Sequence, residues 1–94
     1  MNCVIYAKQN DDISVYEQYN QCAELAKRYG YSINGKVLDF DGSKFHEAIN
    51  KVIAEHDVVA LIVYSKDIVF NDYSEFVFYR IYLDKLNKEL ITVK

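Results

Sequence analysis

The sequence predicts an α/β domain of three layers, α/β/α, built on a four-stranded parallel sheet of order 2-1-3-4. Three observations carry this. Cys3-Val4-Ile5-Tyr6-Ala7 and Val58 to Tyr64 are short, nearly continuous apolar runs, the pattern of strands covered on both faces. The segments between the strands place apolar residues at helical spacing. Strands and helices alternate as β-α-β-α-β-α-β, which implies a parallel sheet flanked by helices. Right-handed crossovers leave few orders, and 2-1-3-4 is the simplest with a switch point between strands one and three.

Each element has its own signals. After the first strand comes a polar loop, Lys8 to Ile13. Ser14-Val15-Tyr16-Glu17 then reads as a capping box, with Ser14 accepting a backbone N–H and Glu17 reaching back. The helix it opens aligns Val15, Tyr19, Cys22, Ala26 and Tyr29 on one face, with Leu25 beside them. Lys27 and Arg28 suit the negative end of its dipole, and Gly30 ends it. Tyr31 to Phe40 is a second strand, interrupted by Asn34-Gly35. Asp41-Gly42-Ser43 is a turn and cap. Lys44 to Glu55 is a second helix with Phe45, Ala48, Ile49, Val52 and Ile53 facing inward. Val58 to Tyr64 is the third strand, Ser65 to Asn71 a polar loop, and Asp72 to Leu86 the third helix. Leu90-Ile91-Thr92-Val93 closes the sheet.

Composition bounds the possibilities. The 94 residues make one domain, 1–94. Half are hydrophobic, with nine tyrosines, five phenylalanines, three glycines and no proline, so the chain is neither disordered nor low-complexity. The net charge of −3 comes with scattered Lys and Arg, and phosphate binding needs them clustered. DNA is therefore not expected as a partner of this chain on its own. Cys3 and Cys22 stand where apolar residues would serve and read as buried thiols of a reducing compartment. The N-terminus lacks the charged, apolar and cleavage regions of a signal peptide. The longest apolar run is far shorter than the ~20 residues that span a bilayer. A cytoplasmic protein with no membrane partner is expected.

In a doubly wound fold the functional crevice lies beyond the carboxyl ends of the strands, at the switch point. Here it would be lined by Lys8 to Asp12, by Ser65, Lys66 and Asp67, and by Asp39. The residues at these loops carry a resemblance. Val4-Ile5-Tyr6-Ala7-Lys8, then Asp11-Asp12, Ser14, Glu17-Gln18 and the helix end Cys22 to Tyr31, resemble the start of serine recombinases. Those open with a strand close to I-Y-A-R-V-S, a D-D-Q-S turn and a helix ending in G-Y. Val58 to Tyr64 is similar to the strand before the family's D-R-L-x-R segment, and Asp67 falls on its aspartate. The resemblance covers nearly the whole chain, as a shortened resolvase-like catalytic domain, and implies DNA recombination in a mobile element as the ancestral chemistry.

The departures from that pattern bear on activity. In the family, a serine after the first strand attacks the DNA phosphate, and arginines stabilise the developing charge. The resemblance puts Lys8 at the arginine position and Asn10 at the nucleophile position, or Gln9 if the one-residue deletion is placed differently. The two arginines of D-R-L-x-R correspond to Ile68 and Asn71. The loop before the second helix is shortened to Asp41-Gly42-Ser43, and its arginine is missing. Lys8, Asn10 and Asp67 are thus vestigial family-site positions, and no catalytic residue is assigned. The family's long dimerisation helix and DNA-binding domain have no counterpart in these residues. A catalytically inactive protein, not an enzyme, is the expectation.

Other chemistry has weaker signals. Asp11, Asp12, Asp39, Asp41 and Asp67 could converge on a cation, but aspartate also favours turns and caps for local hydrogen bonding. His46 and His56 fall on different faces and lack metal-ligand spacing. Asn34-Gly35-Lys36 has no phosphate-loop glycines around it. No metal and no cofactor are expected.

The third helix is richer in apolar residues than a sheet-covering helix needs. Phe76, Tyr79, Leu83 and Leu86 form one stripe; Phe78, Ile81 and Tyr82 form a second on roughly the other side. The second stripe is either an exposed partner surface or is covered by a neighbouring helix. Two functions follow. One is an interaction or regulatory protein of a mobile genetic element that binds itself or a recombinase through Phe78, Ile81 and Tyr82. The other is a small anionic-ligand or nucleotide-binding domain using a crevice of Lys8, Asn10, Ser65, Lys66 and Asp67.

Overall fold

A computed structural model describes residues 1–94. Strand β1 (Asn2–Lys8) leads into helix α1 (Val15–Arg28). Strand β2 (Ser32–Asp39), helix α2 (Phe45–Ala54) and strand β3 (Val58–Val63) follow. A single turn, α3 (Lys66–Val69), precedes helix α4 (Tyr73–Lys85), and strand β4 (Glu89–Thr92) completes the sheet. All three strand pairings are parallel and the order is β2-β1-β3-β4, as the alternation predicts.

Strand alternation divides the core between the two faces. Val4, Tyr6, Leu61 and Val63 point to the side covered by α2 and α4, where they meet Ala48, Val52, Phe76 and Leu83. Cys3, Ile5, Ala60 and Ile62 point to α1 and meet Cys22 and Ala26. Because β1 and β3 are covered on both faces, their apolar residues run without interruption. β2 is an edge strand and reads more weakly. Its register against β1 slips where Cys3 pairs with Ile33 but Val4 with Gly35, so Asn34 is an extra residue within the strand. That is the interruption the Asn34-Gly35 pair announced.

Both long crossover helices end in the same way. Gly30 takes a positive φ of 76°, the Tyr31 N–H bonds to Ala26 O at 2.9 Å, and the Gly30 N–H bonds to Lys27 O at 3.0 Å. Asn87, with φ of 60°, ends α4 through Lys88 N–H to Leu83 O and Asn87 N–H to Asp84 O, both 2.9 Å. This is the Schellman arrangement, which needs a left-handed residue after the helix. Glycine announced the first end; asparagine, which also tolerates that conformation, supplies the second.

Several expectations are corrected. Ser65 to Asn71 is not wholly loop, because Ser65 caps the turn α3 by accepting the Asp67 N–H at 3.2 Å. Tyr29 is exposed as the residue that ends α1, and Gln18 takes its place among the buried positions with Val15, Cys22 and Ala26. Ser14 accepts the Glu17 N–H at 3.1 Å, but Glu17 makes no return bond, so only half of the capping box forms. Ile53 and Leu86 are exposed rather than inward. Leu86 lies where α4 is already turning into its C-cap.

Candidate functional site

The strand-end loops are held by two buried polar side chains. Gln18 is fully buried on α1, directly beneath the loop that follows β1. Its Oε1 accepts the Lys8 N–H at 3.1 Å, and its Nε2 donates to Lys8 O at 2.6 Å and Ile13 O at 3.1 Å. One amide thus satisfies both main-chain groups of the last β1 residue. Asn10 closes the loop from within. Its Oδ1 accepts the N–H groups of Asp12 at 2.8 Å and Ile13 at 3.2 Å, while Nδ2 donates to Lys8 O at 3.1 Å and Ile13 O at 3.0 Å. The Asn10 side chain is therefore fully engaged with its own loop, the local bonding that asparagine favours in turns.

Asp39 does the same at the end of β2. It is fully buried. Its carboxylate accepts the N–H groups of Gly42 at 2.8 Å, Ser43 at 3.2 Å and Lys44 at 2.9 Å, and a short hydrogen bond from the Tyr6 hydroxyl. Burial works against its charge, but the bonds from Tyr6 and from the backbone of Lys44 and Gly42 outweigh it and hold the carboxyl below the usual carboxylate range. Burial first, and then the bond to Asp39, push the Tyr6 hydroxyl upward. Asp39 also caps α2, since Lys44 at its N-cap contributes no side-chain bond. Ser43, expected as part of that cap, instead donates to Asp41 at 2.6 Å.

Around these brackets lie two recesses, not one crevice. A recess of about 220 Å³ is lined by Lys8, Ser43, His46, Asn71 and Glu75 among others. The Lys8 chain passes over Gly42, where an added Cβ would lie 3.6 Å from Lys8 Cε. Asp72 caps α4 by accepting the Glu75 N–H at 2.9 Å, and the Glu75 carboxylate in turn accepts the Asn71 backbone N–H at 3.2 Å. A second recess of about 410 Å³ holds Ser65, Lys66 and Asp67 with Asp12, Ile13 and Lys94. Asn10 lines neither. Lys66 and Asp67 pair with each other at 3.7 Å, and the Asp67 side chain is 83% exposed. Such a surface pair has little energetic weight. The five aspartates do not converge. Asp39 is spent on Tyr6 and the loop, Asp41 on Ser43, and no three His, Cys, Asp or Glu side chains come together.

The α4 surface is the other candidate. Phe76 and Leu83 are buried and Tyr79 packs against the core between Phe45 and Phe70. Opposite them, Phe78 is 61% exposed, Ile81 49% and Tyr82 40%. The Phe78 and Tyr82 rings stack with centroids 6.3 Å apart and planes within 6°. No neighbouring helix covers this stripe. Sequence periodicity located it. The signal for Gln18 is its place on the apolar stripe of α1, three residues after Val15 and four before Cys22, the mark of a buried polar anchor.

No helix is long and apolar enough to cross a membrane. Comparison with protein-family models and with curated proteins finds no match. Solved structures do match. The C-terminal catalytic domain of ISC1926 TnpA, an IS607-like serine recombinase, superposes with a TM-score of 0.76 at 18% identity over 100% of this chain and 70% of that one. The N-terminal catalytic domain of TP901-1 integrase gives 0.75 at 18% identity over 99% and 77%. The C-terminal catalytic domain of IS1535 TnpA, also an IS607-like serine recombinase, gives 0.67 at 11% identity over 98% and 70%. Across its whole length, this chain has the fold of serine recombinase catalytic domains.

Proposed function

We propose that this protein is a catalytically inactive serine-recombinase-like factor of a mobile genetic element that acts through protein contacts. The exposed stripe of Phe78, Ile81 and Tyr82 on α4 is the observation that carries the reading. An apolar patch of stacked aromatic rings on a small domain marks a partner surface. The loop chemistry supports inactivity. Asn10, at the position the resemblance gives to the nucleophile, is an amide with all its polar capacity committed to the loop backbone. An amide cannot attack phosphorus as an activated hydroxyl can. Ile68 and Asn71 offer no positive charge to the developing transition state. The partner is a second copy or an active recombinase. The test is twofold. Incubation with recombination-site DNA should yield no covalent protein–DNA adduct. Titration with a purified serine recombinase catalytic domain, or self-association, should show binding that Ile81→Glu removes. An adduct, or the absence of both kinds of binding, overturns the proposal.

A second reading has one observation in its favour. Lys8 has no carboxylate partner and lines the recess at the start of α2, so its ammonium is free to meet an anion there. A small anionic ligand or nucleotide would suit that position. Thermal stabilisation by phosphorylated metabolites, lost in Lys8→Ala, would support it; a flat response would end it.

A further inference from the structure

A recess of about 570 Å³ lies away from the strand ends, in the groove between α4 and the edge strand β4. Arg80 and Asp84 form one wall, Glu89, Leu90 and Ile91 the other, and Ile81 brings the exposed α4 stripe to its rim. Arg80 and Asp84 stand one turn apart with opposite charges, yet they do not pair. The only ion pair in the chain is Lys66 with Asp67. The Arg80 guanidinium lies over the Phe76 ring, 5.6 Å from its centroid. Lys88, the other cation of the groove, is turned away and donates to the carbonyls of Glu55 and Val58. It therefore does not neutralise Asp84. Beside these charges, β4 ends the sheet with its outer edge unpaired. Natural proteins seldom leave such an edge open and apolar.

We infer that this groove is a self-pairing surface whose occupant is a second copy of the chain, related by a two-fold axis that sets α4 antiparallel to its counterpart. The inference rests on the interaction reading of α4 and narrows it to one partner and one geometry. The charge pattern selects that geometry. In an antiparallel pair, Arg80 faces Asp84 of the second copy and Asp84 faces its Arg80, so both charges are neutralised at once. A parallel pair in register would set Arg80 against Arg80 and Asp84 against Asp84. An isologous contact requires this kind of self-complementarity. The same axis lays the two β4 edges antiparallel and lets their main chains bond across the joint. Ile81 and Leu90 supply the apolar centre between the charges, while Ile91 turns to the α1 face of the sheet.

The experiment is sedimentation velocity on the full chain, on Arg80→Asp, on Asp84→Arg, and on an equimolar mixture of the two variants. The wild-type chain should dimerise. Each reversal alone should weaken the dimer by about tenfold or more, because each places like charges opposite one another. The mixture should restore dimers, because every reversed charge then meets its opposite. A misfolded variant could not complement, so restoration also verifies the fold. Three results would overturn the inference: a wild-type monomer at all concentrations, a dimer indifferent to either reversal, or a mixture that stays monomeric. A dimer lost in Phe78→Glu or Tyr82→Glu but indifferent to the reversals would defeat this geometry and leave the interaction reading standing. A monomer that still binds a recombinase domain would do likewise.

Discussion

Removing the Asp39 carboxylate should cost this domain a large part of its stability. Asp39→Ala strands three donors, the Tyr6 hydroxyl and the N–H groups of Gly42 and Lys44, while the Ser43 N–H keeps its bond to Asp41 at 3.0 Å. The Tyr6 side chain is 1% exposed, so its hydroxyl finds no water and is left unsatisfied, at a cost of about 1–3 kcal/mol. The two N–H groups lie nearer the surface, and losing their acceptor is comparable to losing a helix N-cap, about 1 kcal/mol. The sum is about 3 kcal/mol. For a domain of this size each kcal/mol moves the melting temperature by roughly 4–8 °C, so Tm should fall by roughly 12–24 °C. Tyr6→Phe removes one donor and keeps the loop bonds, so it should cost about half as much. The double variant should cost less than the sum of the two, because without its hydroxyl Tyr6 has nothing to strand. Since the folded carboxyl titrates below its unfolded value, its contribution is complete above the usual carboxylate range and is lost as pH falls through the folded value. Asp39→Asn should therefore flatten the acid limb of the stability curve. Urea denaturation with calorimetry across acid pH measures all of this. Asp39→Ala within about 0.5 kcal/mol of wild type, or strict additivity with Tyr6→Phe, would refute the reasoning.

Other expectations concern the loop, the thiols and the core. Asn10→Ser alone should form no covalent adduct with DNA, because Lys8, Ile68 and Asn71 still leave the phosphate unclamped; gel analysis after denaturation detects any adduct. Burial, with Cys3 alongside, pushes the Cys22 thiol up to about 12, and Cys3 is raised by burial too. Both should resist a thiol reagent at neutral pH until the chain is unfolded; prompt labelling of the native protein would contradict their packing. Leu83→Ala, deep between α4 and the sheet, should cost about 2–5 kcal/mol by denaturant titration, whereas Tyr82→Ala, one residue earlier, should be nearly neutral for the isolated chain.

The legible parts of the fold were those written in periodicity. The two apolar runs fixed the central strands, and the switch from period two to period 3.6 fixed the helices between them. The topology followed from crossover handedness. The double stripe of α4 is visible because four of its residues are aromatic, and only what covers it needs the structure. What escaped were long-range polar pairings. Nothing in the local pattern says that Asp39 reaches back to Tyr6 across β1, or that it caps α2 in place of Ser43. Nor does it say that Asn87 takes a left-handed conformation. Strand ends converge in such folds, which predicts one crevice. The turn α3 lies between two recesses, with Val69 lining one and Lys66 to Ile68 the other, and loop composition does not announce that turn. The resemblance gives Asn10 a chemical position, whereas its bonds are those of a turn-forming asparagine.

The account stands most directly on the solution mass of the wild-type chain and of Ile81→Glu, from micromolar to millimolar concentration, alone and with a purified serine recombinase catalytic domain. Ile81 belongs both to the exposed α4 stripe and to the rim of the β4 groove, so a charge there should disable either mode of contact. The account predicts a species heavier than one chain, with itself or with the recombinase domain, that Ile81→Glu reduces to a monomer that still unfolds cooperatively. A wild-type chain that stays monomeric and binds no recombinase domain would contradict it, as would a complex that Ile81→Glu leaves intact.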